Sequence, residues 1–358
     1  MLRFLFAFIV LAHGLIHLMG FAKAFNYGNI TQLTKDISKP TGMLWLLAGV
    51  LCMATVVLVV LKKDWWLIGL AALALSQALI FSAWHDAKFG TIANAIMLVA
   101  AGLAFSAWRF EQTYINDVQA GLARTRNLDA GVLTERDIQH LPAPVQRYLT
   151  YAGVLNKPKI NRMRIVFTGE MRDRGKDWFT FQSEQHNFFD EPTRLFFMKG
   201  QFFGITVPGY HAYKNGSAAM QIKLFGLFPI VDVKGNELAK AETVTVFNDM
   251  CLMAPATLID PRIQWEAIDD ASAKAVFTNH DIRISAILQI DDQGRLTNFI
   301  SDDRYAISDM KQYRFSTPLR DYKNFNGYNV GTYGEAVWHY PEGEFVYGKF
   351  NLKEISYD

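Results

Sequence analysis

Four long apolar stretches lie within the first 110 residues, and they constrain the fold more than any other feature of the sequence. They cover residues 4–22, 41–61, 65–84 and 89–108, and none of them contains Asp, Glu, Lys or Arg. A helix needs about 20 such residues to cross the hydrocarbon core of a bilayer, which is roughly 30 Å thick. Indole rings prefer the headgroup layer, and five of the eight tryptophans lie near the ends of these stretches: Trp45, Trp65, Trp66, Trp84 and Trp108. The sequence therefore predicts an integral membrane protein with a four-helix transmembrane domain over residues 1–109.

The first apolar stretch has one alternative interpretation, a cleaved signal peptide with Arg3 as its charged end. Two features argue against cleavage. His13 and His17 interrupt the apolar run, and three further apolar stretches follow it. We therefore expect residues 1–22 to remain in the protein as the first membrane helix.

Charge is distributed unevenly along the chain. Residues 1–110 contain 8 Lys/Arg and 3 Asp/Glu, whereas the remaining residues contain 28 and 31. Such a split is typical of a membrane segment joined to a water-soluble one. No block of basic residues is present, which excludes a general nucleic-acid-binding protein. The two cysteines, Cys52 and Cys251, lie in different halves, so neither a disulfide framework nor a zinc quartet is available.

The basic residues near the membrane domain suggest its orientation. Four spans would place both ends of that domain on one side, which has six nearby Lys/Arg against four on the other side. Positively charged loops stay in the cytoplasm. The count favours a cytoplasmic C-terminal half by this small margin and leaves the side of the β domain open.

A change in the spacing of apolar residues marks a second domain. Residues 110–153 have the four-residue spacing and the Pro and Gly boundaries of a helical connector. From residue 161 onward apolar residues recur at every second position, as in the run from Ile282 to Ile290. This alternation is typical of strands with one buried face. We therefore predict a mainly antiparallel β domain of about ten strands over residues 154–358, a curled sheet or half-barrel covered by a helix at 236–252.

One segment of this second domain resembles a known family. The run from Glu242 to Asp260, ETVTVFNDMCLMAPATLID, resembles the most characteristic segment of an uncharacterised family of bacterial membrane-anchored proteins, a domain of unknown function. The flanking pieces that agree are Gln146-Arg147-Tyr148, Pro208-Gly209-Tyr210-His211, Ser301-Asp302-Asp303-Arg304-Tyr305 and, in membrane-spanning members, the run from His13 to Phe21. The resemblance covers residues 140–358. It implies a multi-pass protein of the bacterial cytoplasmic (inner) membrane, and it implies no activity. The expected β domain is also similar in architecture to lipoprotein-carrier half-barrels, although fold does not fix function.

The aromatic content of the β domain suggests a ligand-binding hollow. Ten phenylalanines lie between residues 179 and 228, more than one face of five short strands needs for its core. Two carboxylates seven residues apart, Glu242 and Asp249, would share one face of a continuous helix and could orient a headgroup. Core packing is the ordinary alternative for each ring, and capping or ion pairing for each charge. The residues predicted to contact a ligand are Phe202, Phe203, His211, Glu242, Asp249, Trp265 and Arg304.

A second candidate site lies in the membrane domain. His13 and His17 are four residues apart and would face the same side of a transmembrane helix, where polar groups usually face a partner or cavity. Their spacing suits two ligands to a metal, or contacts to a haem or quinone. The alternative is a pair of histidines that form hydrogen bonds to Asn94, Gln77 or backbone carbonyls between packed helices.

Because no catalytic motif occurs in the sequence, these features favour a binding protein over an enzyme. They leave enzymatic activity open. The first hypothesis is a carrier or sensor that binds a lipid or another apolar ligand in the β domain, next to membrane lipids. The second is a scaffold that recruits a protein partner through the β domain. The third is a membrane redox or metal component that uses His13 and His17. No resident cofactor and no nucleic-acid partner are predicted.

Overall fold

The computed structural model describes residues 2–128 and 131–358. The chain divides into two compact units, residues 1–110 with 225–227 and residues 111–224 with 228–358. The first unit is helical, and the second is built around one large antiparallel sheet. The combination of N-terminal helices with a C-terminal antiparallel sheet, predicted from the change in residue spacing, is confirmed.

The helices of the first unit follow the apolar stretches. They are α1 (Leu2–Ala24), α2 (Lys39–Val60), α3 (Trp66–Ser82), α4 (Trp84–Ala87) and α5 (Gly90–Thr125), and residues 111–125 of α5 belong to the second unit. The start of α2 is set by Ser38, whose Oγ accepts a hydrogen bond from the Thr41 amide at 3.3 Å, and by a proline in the first turn. The end of α3 is set by Ala83, whose φ of −118° and ψ of 36° leave the helical range.

Three helices in the described part of the chain are long and apolar enough to cross a membrane: α1, α2 and α5. The prediction of four such helices is wrong in number. The third apolar stretch folds as α3, whose 17 residues span only about 26 Å, less than the roughly 30 Å of a hydrocarbon core. The sidedness count assumed four crossings, and it loses its basis because three helices have the length and apolar composition for a crossing.

Small residues let α1 and α2 approach each other closely. A Cβ atom added to Gly14 would lie 2.7 Å from the Cβ of Cys52, and one added to Gly20 would overlap the ring of Trp45. Close approach of this kind is a common way for helices to pack in an apolar solvent, where burial of apolar surface drives no association.

The strands of the second unit are, in chain order, β1 (Val132–Leu133), β2 (Lys157–Pro158), β3 (Arg162–Met171), β4 (Phe179–Phe188), β5 (Thr193–Phe202), β6 (Ile205–Lys214), β7 (Ser217–Leu224), β8 (Phe228–Lys234), β9 (Ile263–Ala267), β10 (Ser272–Asn279), β11 (Ile282–Ile290), β12 (Leu296–Ser301), β13 (Tyr305–Ala306), β14 (Lys311–Gln312), β15 (Arg314–Phe325), β16 (Tyr328–Tyr340) and β17 (Gly343–Tyr357). Thirteen of them form one sheet in the order β8-β7-β6-β5-β4-β3-β17-β16-β15-β12-β11-β10-β9. Every pair of neighbours in this sheet is antiparallel. The sheet is therefore larger than the ten strands expected.

The remaining helices of this unit are α6 (Glu135–Ile138), α7 (Ala143–Ala152) and α8 (Asn236–Met253), with a 3₁₀ turn at Pro255–Ile259. Helix α8 contacts β6, β7 and β8 near one edge of the sheet, β16 in the middle, and β11 and β12 near the other edge. A flat sheet of 13 strands would be roughly 58 Å wide, whereas a helix is about 10 Å across. The sheet therefore curls around α8, and it is open, because its edge strands β8 and β9 do not pair with each other.

The core of the second unit occupies one side of α8. Phe247 is fully buried, stacks on Phe277 with ring centroids 5.2 Å apart, and meets Phe299 edge-on at 5.9 Å. The outer face of β5 and β6 is also covered, since the end of α5 packs against it: Tyr114 stacks on Phe197 at 5.3 Å. Both faces of these strands are thus buried.

Candidate functional site

A cavity of about 370 Å³ lies between α8 and the concave face of the sheet. Ligand-binding pockets commonly measure roughly 300–1,000 Å³, so this volume suits a small apolar ligand or part of a larger one. Its walls come from β3 to β7, from α8, and from β15 to β17 together with the short hairpin β13–β14 that precedes them. The principal apolar lining residues are Phe167, Met171, Phe179, Phe196, Met198, Met220, Ile222, Leu252, Phe315, Leu319, Trp338, Phe345 and Phe350.

The alternation of the strands decides which side chains reach the cavity. On β5 the lining residues are Arg194, Phe196 and Met198, at every second position, while Leu195 and Phe197 point to the other face. On β16 the inward set includes Gly334, Ala336 and Trp338. Glycine and alanine at adjacent inward positions leave space that larger side chains would fill.

A buried polar cluster forms the α8 side of the cavity, with Arg194 at its centre. The Arg194 guanidinium donates from Nε to Asp249 Oδ2 at 2.8 Å, from Nη1 to Glu242 Oε2 at 3.1 Å and from Nη2 to Gln185 Oε1 at 3.0 Å. Asp249 Oδ2 also accepts from Gln185 Nε2 at 2.8 Å and from Asn187 Nδ2 at 3.1 Å. A buried ion group is tolerated only when its members satisfy one another in this way.

The two carboxylates of this cluster have pKa values displaced in opposite directions. Burial alone would raise the pKa of Glu242, but the charge of Arg194 and the contact with His211 outweigh it and lower that pKa to about 2. Burial raises the pKa of Asp249, and attraction to Arg194 offsets only part of that effect. Burial would lower the pKa of Arg194, but the two carboxylates outweigh it and raise that pKa. One cation thus faces two acidic groups of different acidity.

A second charged group, Arg304, enters the cavity from the residues between β12 and β13. Its guanidinium lies over the ring of Phe315 at 4.0 Å and over that of Trp338 at 5.1 Å, and its Nη1 donates to the hydroxyl of Tyr347 at 2.8 Å. Cation–π contacts of this kind hold a guanidinium against an aromatic wall.

The structure brings together four of the seven residues predicted to contact a ligand. His211, Glu242, Asp249 and Arg304 all line the cavity, and His211 Nδ1 lies 3.7 Å from Glu242 Oε1. Their role in binding stays a prediction.

The other three predicted residues lie outside the cavity wall. Phe203 is fully exposed in the turn between β5 and β6. The Phe202 ring packs against that of the cavity-lining Phe179, with centroids 4.2 Å apart and planes tilted by 32°, but Phe202 does not itself line the cavity. Trp265 packs on the main core, and its Nε1 donates to the Leu258 carbonyl at 3.2 Å. Phe202 lies at the very end of β5, Phe203 in the turn that follows, and Trp265 on the edge strand β9, so position along the strand and within the sheet keeps them outside the wall.

Three residues of the cluster were not identified from the sequence: Gln185, Asn187 and Arg194. A signal for them exists. On β4 the inward positions are Phe181, Ser183, Gln185 and Asn187, all buried. Polar residues at the buried positions of an alternating strand indicate a polar partner inside the fold.

The membrane histidines occupy a polar contact between helices. His13 Nε2 lies 2.9 Å from Ser76 Oγ and 3.1 Å from Asn94 Oδ1, as in the hydrogen-bonding alternative. The His17 ring lies 4.7 Å from that of His13 and 5.1 Å from that of Trp45, and neither of its nitrogens has a hydrogen-bond partner among the described residues. Within residues 2–128 and 131–358 there is no group of three or more His, Cys, Asp or Glu side chains that could hold a metal ion.

Comparison with solved structures found weak likenesses to the β unit. A domain described as an outer-membrane lipoprotein-sorting protein from Vibrio parahaemolyticus matches 60% of this chain and 91% of its own, at 8% identity and a TM-score of 0.37. A LolA superfamily protein from Nitrosomonas europaea matches 59% and 92%, at 10% identity and a TM-score of 0.36. A β-barrel-like protein of another domain of unknown function, from Brucella abortus, matches 56% and 99%, at 8% identity and a TM-score of 0.17.

Comparison with curated proteins found no match. Comparison with family models gave a clear result, because one model matches residues 131–350. This range contains the helix α8, most of the large sheet and the whole lining of the cavity. The chain therefore belongs to the family of unknown function DUF6544.

Proposed function

We propose that the second unit binds an apolar ligand, such as a lipid chain, in the cavity between α8 and the sheet. The observation that carries this proposal is the cavity of about 370 Å³ with its wall of Phe, Met, Leu and Trp side chains. Burying the apolar surface of a ligand against this wall is favourable by about 25 cal/mol for each Å² removed from water.

The three apolar helices α1, α2 and α5 support the second part of the proposal, that the protein is anchored in a membrane. A binding unit on such an anchor takes its ligand from, or delivers it to, a nearby bilayer, which is the work of a carrier or a sensor. Retention of the full chain in the membrane fraction after an alkaline wash is the expected result. Release into the soluble fraction would contradict the anchor.

The binding proposal is tested with the full chain in non-ionic detergent and a photoreactive probe, hexadecanol with a diazirine in its alkyl chain. We expect irradiation to label peptides that contain cavity residues, such as Met198 on β5 and Trp338 on β16. The variant Gly334→Trp should lose most of this labelling. A Cβ atom at Gly334 has only ordinary contacts, 3.6 Å from Leu319 Cδ1, so the side chain can enter the cavity and fill it.

The matched control is Tyr333→Trp, which changes the neighbouring residue on the opposite face of β16 and should label like the wild type. Competition by unlabelled hexadecanol in the wild type gives a second measurement that does not depend on either variant. Labelling confined to α1, α2 and α5, with none on the cavity peptides of the wild type, would refute the proposal.

A further inference from the structure

We propose that the cavity ligand is an amphiphile whose anionic headgroup, a carboxylate or a phosphate, pairs with the guanidinium of Arg304. This inference rests on the proposed function and adds the chemical class of the ligand. It follows from Arg304 Nε, a buried donor in the cavity wall that has no hydrogen-bond partner among the described residues.

Arg304 is held in place by aromatic rings rather than by a counter-ion. Its guanidinium lies 4.0 Å from the Phe315 ring centroid, 5.1 Å from that of Trp338 and 5.9 Å from that of Tyr347. Its Nη1 donates to the Tyr347 hydroxyl. Its Nε is buried and has no hydrogen-bond partner among the described residues. Since an unpaired buried donor is unfavourable and a charged one more so, this guanidinium is prepared for an acceptor that the chain itself does not provide.

The carboxylates around Arg304 are engaged elsewhere. Asp303 forms an ion pair with Lys240 at 3.1 Å and accepts hydrogen bonds from Ser285. Asp302 pairs with Arg314 at 2.9 Å, and Glu242 pairs with Arg194 at 3.1 Å. No ion pair joins Arg304 to an acidic side chain within residues 2–128 and 131–358.

Arg194 and Arg172, the other arginines of the cavity wall, have no buried nitrogen that lacks a hydrogen-bond partner among the described residues. Arg194 is shared by two carboxylates. Arg172 donates from Nε to the Val346 carbonyl at 3.0 Å and lies between the rings of Trp178 and Phe345. Arg304 is therefore the side chain to which an incoming anion would bind.

The chemistry of the acceptor follows from the donor. A guanidinium presents its N–H groups as a planar fork, which matches the oxygens of a carboxylate or a phosphate. Burial of an alkyl chain against the apolar wall would supply most of the binding energy. The headgroup contact would fix which end of the molecule lies at Arg304. A small free anion lacks that burial and faces the negative charge of Glu242 as well.

The test compares two photoreactive probes on the full chain in non-ionic detergent, diazirine-bearing hexadecanoic acid and the hexadecanol of the same chain. We expect the acid to label the cavity peptides about tenfold more efficiently, as one charged hydrogen bond allows. Arg304→Gln should remove this preference while the alcohol still labels, and Arg304→Lys should keep part of it. The control Arg314→Gln removes a cation whose ion pair with Asp302 lies outside the cavity wall, and it should leave the preference unchanged.

Three other outcomes would each overturn the headgroup inference, and one of them would also overturn the proposed function. Equal labelling of the wild-type cavity by acid and alcohol would overturn the headgroup inference and leave the proposed function intact. This comparison needs no variant, so it holds even where Arg304→Gln does not fold. Labelling of the cavity by neither probe would overturn both proposals. Displacement of the acid by inorganic phosphate at equal concentration would show a site for free anions and overturn the assignment to an amphiphile.

Discussion

Replacing Arg194 with methionine should destabilise the second unit more than almost any other single substitution. Methionine retains an unbranched, flexible stem like that of arginine. It lacks the guanidinium and therefore loses three hydrogen bonds, at 2.8, 3.1 and 3.0 Å. Glu242 and Asp249 then stay buried without the guanidinium, and the longer contact of Glu242 with His211, at 3.7 Å, does not replace it. Breaking a buried ion group from one side destabilises a protein by about 3–5 kcal/mol. At roughly 2–4 °C per kcal/mol for a unit of this size, the unfolding midpoint should fall by about 6–20 °C.

The assay is thermal unfolding of the full chain in detergent, followed by tryptophan fluorescence. The control is Arg314→Met, whose pair with Asp302 is exposed and should contribute at most about 1 kcal/mol. Adding Glu242→Gln and Asp249→Asn to Arg194→Met removes the stranded charges, and we expect this triple variant to recover at least half of the lost stability. A loss no greater than that of the control would refute the reasoning, because it would mean that the cluster is not electrostatically coupled.

The pH dependence of the same variants follows from the signs of the pKa shifts. In the wild type the pKa of Glu242 is lowered from 4.5 to about 2, so its contribution to stability is present above 4.5 and is lost as the pH falls towards 2. Without Arg194, the pKa of Asp249, which burial already raises, rises further, and the pKa of Glu242 rises from its lowered value against the remaining attraction of His211 and Arg304. The folded variant then binds more protons than the unfolded chain, and its stability falls as the pH rises through that window. The deficit of Arg194→Met should therefore be smaller near pH 5 than near pH 8, measured by the same midpoints; an unchanged deficit would contradict this account.

Three further predictions concern single contacts, all measured by unfolding of the full chain. Phe247→Ala should cost about 3–5 kcal/mol, because the ring is fully buried between Phe277 and Phe299, whereas Phe203→Ala, at an exposed turn, should stay within about 0.5 kcal/mol. Tyr148→Phe should cost about 1–3 kcal/mol, since the buried hydroxyl donates to the Cys251 carbonyl at 2.7 Å; Tyr313→Phe, which removes an exposed bond to Asp309, is the control. His13→Leu should lower stability by about 1 kcal/mol through the loss of its contacts with Ser76 and Asn94, whereas His17→Leu should be neutral or stabilising; equal effects of the two would contradict the assignment.

The local periodicities were sufficient to predict N-terminal helices followed by a large antiparallel sheet. Alternation from residue 161 predicted an antiparallel sheet, and the helix-compatible residues from Asn236 predicted the covering helix, which runs over Asn236–Met253. The second half of α8, with its run of β-branched residues at 243–246, is locally ambiguous between helix and strand. Tertiary burial decides it, because Val244 and Phe247 are completely buried in the core.

The number of helices long enough to cross a membrane could not be obtained from the length of the apolar stretches alone. Residues 65–84 contain no charge, yet Trp65 stays outside the helix, and the chain turns at Ala83 into the separate short helix α4. Local backbone conformation therefore shortens the third helix to 17 residues, and hydropathy carries no signal for such a break.

The wall of the cavity accounts for only part of the excess of phenylalanine in the β domain. Phe179 and Phe196 do line the cavity, but Phe197 packs beneath Tyr114 of α5 on the outer face. Phe188 lies against Gly121, where a Cβ atom would overlap its ring. Nothing in the strand pattern indicates that residues 111–125 of the preceding helix cover the outer face of the sheet. The sequence therefore could not show that some of the phenylalanines pack against this helix.

Helix α8 explains why the hollow is not filled by its own covering segment. Over most of its length its side towards the cavity presents Ala241, Glu242, Thr245, Asn248 and Asp249, a stripe of small and polar side chains at helical spacing, and its last turn adds the apolar Leu252 and Met253. Its opposite side presents Val244, Phe247 and Cys251, all buried in the core. An apolar stripe facing the sheet would allow the helix to close onto β5 and β6. The charged residues, by contrast, must stay bonded to Arg194, Gln185 and Asn187, and they hold this side of the wall in a fixed, hydrogen-bonded arrangement. The buried ion cluster and the apolar cavity are therefore two consequences of one feature, a helix whose polar side faces the interior of the fold.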